Sequence, residues 1–108
     1  MDGTKNMKAD EKLLQKRDEK VIPHLEQYAP VWITDEQVMP QEEAVQFNAV
    51  FRHNLYGWVS RRYRFDGFNN VLYHKGQTSI SPDKVLEIQE TEPYIAPVVE
   101  DIPNAYGG

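Results

Sequence analysis

The chain has 108 residues and a mass of 12.6 kDa, enough for one compact domain and too few for two. Seventeen acidic residues against twelve basic ones give a formal charge of −5, which argues against a polycation that coats DNA or anionic lipid over its whole surface. With no cysteine, the sequence excludes a disulfide framework, a thiolate nucleophile, an iron–sulfur cluster and cysteine-ligated zinc.

A composition of 40% hydrophobic and 11% aromatic residues belongs to a folded chain. Nowhere do eighteen apolar residues follow one another, so no membrane insertion is expected and a soluble, cytoplasmic protein is the reading. The charge falls into three blocks. Residues 1–50 hold six basic and ten acidic groups, residues 51–76 five and one, and residues 77–108 one and six. The basic middle block also holds seven of the twelve aromatics, so cations and rings coincide there.

In chain order, Lys8 to Lys20 consists of good helix formers, with Asp10 and Glu11 near the start where the helix dipole favours anions. The pairs Leu13/Leu14 and Val21/Ile22 make a thin apolar stripe, which places the core elsewhere. Pro23 is expected to end or kink this helix, with another turn over His24 to Tyr28. The β-favouring run from Ala29 to Thr34 predicts a strand. Thr34-Asp35-Glu36-Gln37 matches a capping box and predicts one helical turn before Pro40. Ala44 to Arg52 alternates, with Val45, Phe47, Ala49 and Phe51 on one side and Gln46, Asn48 and Arg52 on the other, which predicts a half-buried strand.

Asn54 to Gly57 then reads as a turn, Trp58 to Phe65 as a strand, Asp66-Gly67 as a hairpin turn and Phe68 to Lys75 as the return strand. A two-residue turn sets Phe65 opposite Phe68 and puts Trp58, Ser60, Arg62 and Arg64 on one face with Val71 and Tyr73. A loop from Asp66 to Asn70 changes that register. Ser81-Pro82 starts a helical turn. Beyond it, Leu86 and Ile88 alternate as a closing strand, the preferred reading, or Val85, Leu86 and Ile88 share one side of a helix to about Thr91. From Pro93 on, an extended acidic tail carries Tyr94, Ile95, Val98, Val99, Ile102 and Tyr106 as anchors.

The expected fold class is therefore α+β, mainly β: an N-terminal helical segment (1–28), a small antiparallel β-domain (29–90) and the tail (91–108). The order of elements over 29–90 resembles small SH3-like barrels, which implies a barrel or curved sheet and leaves peptide binding, RNA binding and accessory-subunit roles open.

Catalytic chemistry finds no footing, because His24, His53 and His74 form no recognised spacing with the carboxylates or serines, and Gly57, Gly67 and Gly76 are spaced for turns rather than for phosphate binding. A metal held by His53, His74 and Asp66 is a weaker reading than plain packing roles, and no cofactor is expected. Glu42-Glu43 and Asp35-Glu36 read as solvated charge. The one concentrated signal is Arg52, Tyr56, Trp58, Arg61, Arg62, Arg64, Tyr73 and Lys75, with His53, Tyr63 and His74 among them. Tyr, Trp and Arg are the residues that carry protein interfaces, and the same set suits RNA or single-stranded DNA. The acidic flanks oppose a polyanion and set the tail to compete for the basic surface, which favours a larger protein assembly as the partner and a non-catalytic accessory or adaptor role. Finally, Gly107-Gly108 resembles the end of ubiquitin-like modifiers and sulfur carriers, although the long helical pattern here precedes every strand.

Overall fold

The computed structural model describes residues 2–92 and 94–95, with side chains from residue 10 to residue 92. Helix α1 (Asp2–Leu25) leads through a 3-10 turn (Glu26–Tyr28) into the strands β1 (Val31–Met39), β2 (Ala44–His53), β3 (Gly57–Asp66) and β4 (Val71–Ser79); helix α2 (Pro82–Thr91) and a two-residue strand, β5 (Tyr94–Ile95), follow. The strands are antiparallel in the order β4-β3-β2-β1-β5. The α+β, mainly β class stands; of the expected barrel or curved sheet, the barrel is not formed, because the sheet is open. β4 and β5 occupy opposite edges. α1 lies across one face as a second layer and buries the apolar surface that closure would otherwise have to bury.

That layer corrects the view that the core lies away from the first helix. Leu13, Arg17, Val21 and Leu25, each four residues after the last, form its inner stripe, and all four are buried. Arg17 fills the gap that makes the stripe look broken when only apolar residues are counted. Pro23 sits inside the helix, two residues from its end, so it does not end the helix where it stands, and its missing amide deprives only the Glu19 carbonyl of a helical donor.

Beneath α1, the alternation in β2 is realised: Val45, Phe47, Ala49 and Phe51 are fully buried, joined by Val59, Tyr63 and Phe65 of β3. The predicted turn at Thr34–Gln37 is absent. These residues stay in β1 and form a bulge, with Asp35 at φ 51° and the register with β2 shifting between Thr34 and Gln37. The bulge sends the two adjacent carboxylates different ways. Glu36 accepts from Arg17 of α1 at 2.7 Å, and Asp35 Oδ2 accepts from Thr34 at 3.1 Å and Asn48 at 2.8 Å. Glu42 and Glu43 divide likewise, pairing with Arg64 and Lys16, so none of the four is mere solvated charge.

The β3–β4 connection is the longer loop, residues 67–70, with Phe65 opposite Leu72 and Asp66 opposite Val71. Asp66 Oδ1 accepts from the N–H groups of Phe68 and Asn69, and Asn70 takes φ 58°, an Asx-type turn that a two-residue hairpin leaves no room for. Gly67 is tucked under the β1–β2 turn, donating to Glu43 O at 2.7 Å. A Cβ there would stand 2.8 Å from that same oxygen and 2.9 Å from Leu13 Cδ1.

The segment after Pro82 is the helix α2, not the strand preferred from the sequence. Ser81 Oγ accepts from Lys84 N–H at 3.3 Å, proline takes the first turn, and Val85 and Ile88 turn inward at helical spacing while Leu86 stays 60% exposed. α2 covers part of the sheet face opposite α1, where Ile88 packs with Trp32 and Val50, flanked by Trp58 and Ile80.

Candidate functional site

The pleat of β3 divides the basic segment. Arg61 pairs with Ala49 in register and faces α1, whereas Arg62 and Arg64 face away from it. Arg61 donates to Gln77 Oε1 at 2.7 Å and to the Tyr63 hydroxyl at 2.9 Å, with its guanidinium carbon 5.0 Å from the Phe51 ring centre. Arg62 donates to Asn48 Oδ1, Gln46 Oε1 and the Asp35 carbonyl, closing a polar ladder across three strands. Arg64 is held by Glu42 at 2.9 Å. All three guanidinium groups are thus engaged within the chain. Tyr73 lies opposite Arg64 on the outward face, and Lys75 is the extra residue of a bulge in β4; both are exposed.

The remaining three predicted residues gather at the other end of β3. Arg52 is exposed and directly opposite Trp58, and Tyr56 is in the turn between β2 and β3. Arg52 and Trp58, with Tyr28, Pro30, Trp32, His53, Leu55 and Gln89, line a cleft of about 780 Å³, a size that holds a small ligand or a few residues of peptide. Both tryptophans of the chain lie in it, their rings 6.2 Å apart.

A column of stacked rings runs beside this cleft, and two of its members, Tyr28 and His53, line it. Phe51 in the core stacks on Tyr28 at 4.6 Å, Tyr28 on His53 at 5.3 Å, and His53 on Tyr56 at 4.7 Å. The His53 Nδ1 accepts from the N–H groups of Leu55 (3.0 Å) and Tyr56 (3.4 Å), so the ring also shapes the turn, and Gly57 supplies the φ of +75° that brings the chain back into β3. At the tip, Leu55 is 80% and Tyr56 64% exposed. Trp32, Tyr28 and Leu55 are absent from the sequence-derived set. Leu55-Tyr56 in a turn, where small polar residues are usual, was the signal available for them.

His53 and His74 do not converge with Asp66. Their register partners, Gly57 and Tyr63, stand well apart along β3, and Asp66 lies at its far end. Among the described residues, no three His, Asp or Glu side chains form a group able to hold a metal ion. His24 and His74 instead flank the Tyr63 ring, each 5.8 Å away. Burial, then the charge of Arg61 and then that of His74, hold the His24 pKa below its ordinary value. Burial also pushes the Tyr63 hydroxyl up, against the opposing pull of its Arg61 hydrogen bond.

No protein-family model, curated protein or solved structure matches this chain. No helix among the described residues is long and apolar enough to cross a membrane.

Proposed function

We propose that the chain is a non-catalytic accessory or adaptor protein of the cytoplasm, and that it binds a larger protein assembly through the aromatic cleft and the Leu55-Tyr56 turn beside it. The supporting observation is the exposure of Leu55 and Tyr56 at the end of a ring column anchored in the core. A ring held by stacking, as Tyr56 is on His53, loses little entropy on binding, and with Leu55, Arg52 and Trp58 alongside it has the composition of an interface centre. Arg61, Arg62 and Arg64 act in this reading as struts, and Tyr73 and Lys75, placed further along β3 from the cleft, lie outside the contact.

The test is partner capture by the full chain from its native cells, comparing wild type with a Leu55→Ser/Tyr56→Ala variant. The variant should melt close to wild type, since both side chains are largely solvated, while each lost anchor weakens capture by about 1–4 kcal/mol. Undiminished capture by the variant would refute the site. Single-stranded nucleic acid is the rival ligand. Binding to an oligonucleotide that falls steeply between low and high salt would favour that reading over the protein one. A modifier role through Gly107-Gly108 concerns residues outside those described.

A further inference from the structure

At the last turn of α1, three basic side chains gather around Tyr63. Arg61 donates to its hydroxyl at 2.9 Å, and His24 of α1 and His74 of β4 each place a ring 5.8 Å from its own. The guanidinium is fixed in place, with Nε given to Gln77, Nη1 to Tyr63, and the Phe51 ring 5.0 Å from its carbon. Its Nη2 keeps solvent contact and donates to no group among the described residues. Both imidazoles are exposed, and neither makes a hydrogen bond among those residues. No carboxylate balances the group. The ion pairs among the described residues join Lys16, Arg17, Arg64 and Lys84 to their acids, and in a chain with seventeen acidic residues none of them is set against Arg61, His24 or His74. The charges that act on His24 are those of Arg61 and His74, both opposing its proton, and Lys20 stands one turn back on the same helix. Like charges collected without a counter-charge cost the fold free energy, and a bound anion removes that cost.

We propose that Arg61, His24 and His74 form a binding site for a phosphate group, free or as a monoester. Because Nε and Nη1 already serve Gln77 and Tyr63, Arg61 offers Nη2 as a single point of contact instead of the paired fork that suits a planar carboxylate. The imidazoles of α1 and β4 supply the other donors from different directions, which a tetrahedral oxyanion can use. Each ring donates in its neutral form and adds a charge when protonated. Binding of the dianion therefore holds the histidine protons in place, and by reciprocity its affinity rises as pH falls through their midpoints. None of the three residues lines the cleft, so this inference does not depend on the adaptor reading.

The experiment follows the histidine rings of the full chain by proton NMR as pH is varied, in sodium phosphate and in sodium chloride of equal ionic strength. The chain has three histidines, and His53, on the cleft, is the internal control. Phosphate should raise the titration midpoints of His24 and His74 by about one pH unit and leave that of His53 in place. His74→Gln, at an exposed position, should weaken phosphate binding about two- to fivefold, and Arg61→Gln about tenfold. Should Arg61→Gln fail to fold, His74→Gln decides. Equal midpoints in phosphate and chloride would overturn the proposal, as would a shift shared equally by His53 or one that His74→Gln leaves at full strength on His24. Glycerol phosphate distinguishes the two sources: a larger shift than with inorganic phosphate assigns a monoester, and an equal or smaller one assigns the free ion.

Discussion

Arg17 shows how one side chain can serve as core and as charge at once. It is only 4% exposed, its guanidinium carbon lies 4.7 Å from the Phe47 ring centre, and it donates to Asp18 and Glu36 at 2.7 Å each. Its Nη1 is buried without a hydrogen-bond partner among the described residues, so the arrangement carries a desolvation cost. Both partner carboxylates keep substantial solvent contact. Removing the charge therefore strands no buried anion, and the main contribution of Arg17 is the volume it places between α1 and Phe47. Arg17→Met should accordingly unfold within about 1 kcal/mol of wild type in a denaturant titration, whereas Arg17→Ala should lose about 2–4 kcal/mol through the cavity it opens. Equal losses would show that the ion pair, not the packing, holds the helix. The four-residue spacing Leu13-Arg17-Val21-Leu25 was legible in the sequence, but an arginine in an apolar stripe reads as a break until the ring beneath it is seen.

The elements differ in how far local signals decide them. β2 followed from alternation, because one of its faces is uniformly apolar and a slip would expose four buried side chains. The hairpin after β3 did not. Asp66-Gly67 suits a two-residue turn, and only the contact of Gly67 with Glu43 O, from a turn far away in sequence, shows why the loop runs on to Asn70. For α2, Leu86 and Ile88 would share a face in a strand. In the helix that forms, Leu86 also departs from the side expected for it with Val85 and Ile88, because residues two apart lie on different sides of a helix. Ile88→Ala, at a side chain 5% exposed against Trp32 and Val50, should cost about 2–4 kcal/mol, while Leu86→Ala should stay within about 0.5 kcal/mol. Similar losses at both positions in thermal or denaturant melts would contradict the helix.

At the scale of the whole fold, three groups among the described residues have perturbed pKa values that bear on the pH response of folding. His24 holds its proton less tightly folded than unfolded, so its contribution is complete above about pH 6.5 and declines as pH falls below it. Asp66, whose carboxylate is favoured first by the Asn69 side-chain amide and then by the N–H groups of Asn69 and Phe68, has its pKa lowered; its contribution is lost only as pH drops through that lowered value. Tyr63, with its pKa raised, withdraws stability above about pH 10. A melting-temperature profile should therefore be flat from about pH 7 to 9 and fall on both sides, and His24→Asn should remove the first acid decline. Persistence of that decline in the variant would assign it elsewhere. The sequence by itself determined the class of the fold, the meander and the crowding of cations with rings, because periodicity and composition are local properties. The tertiary structure alone decided that the sheet stays open, which face each arginine takes, and that Arg52 and Trp58 meet Tyr28 and Trp32 around one cleft. Those outcomes depend on the bulges at Asp35 and Lys75, on the register of β3 and on α1 covering one face, and each is settled by contacts between residues distant in the chain.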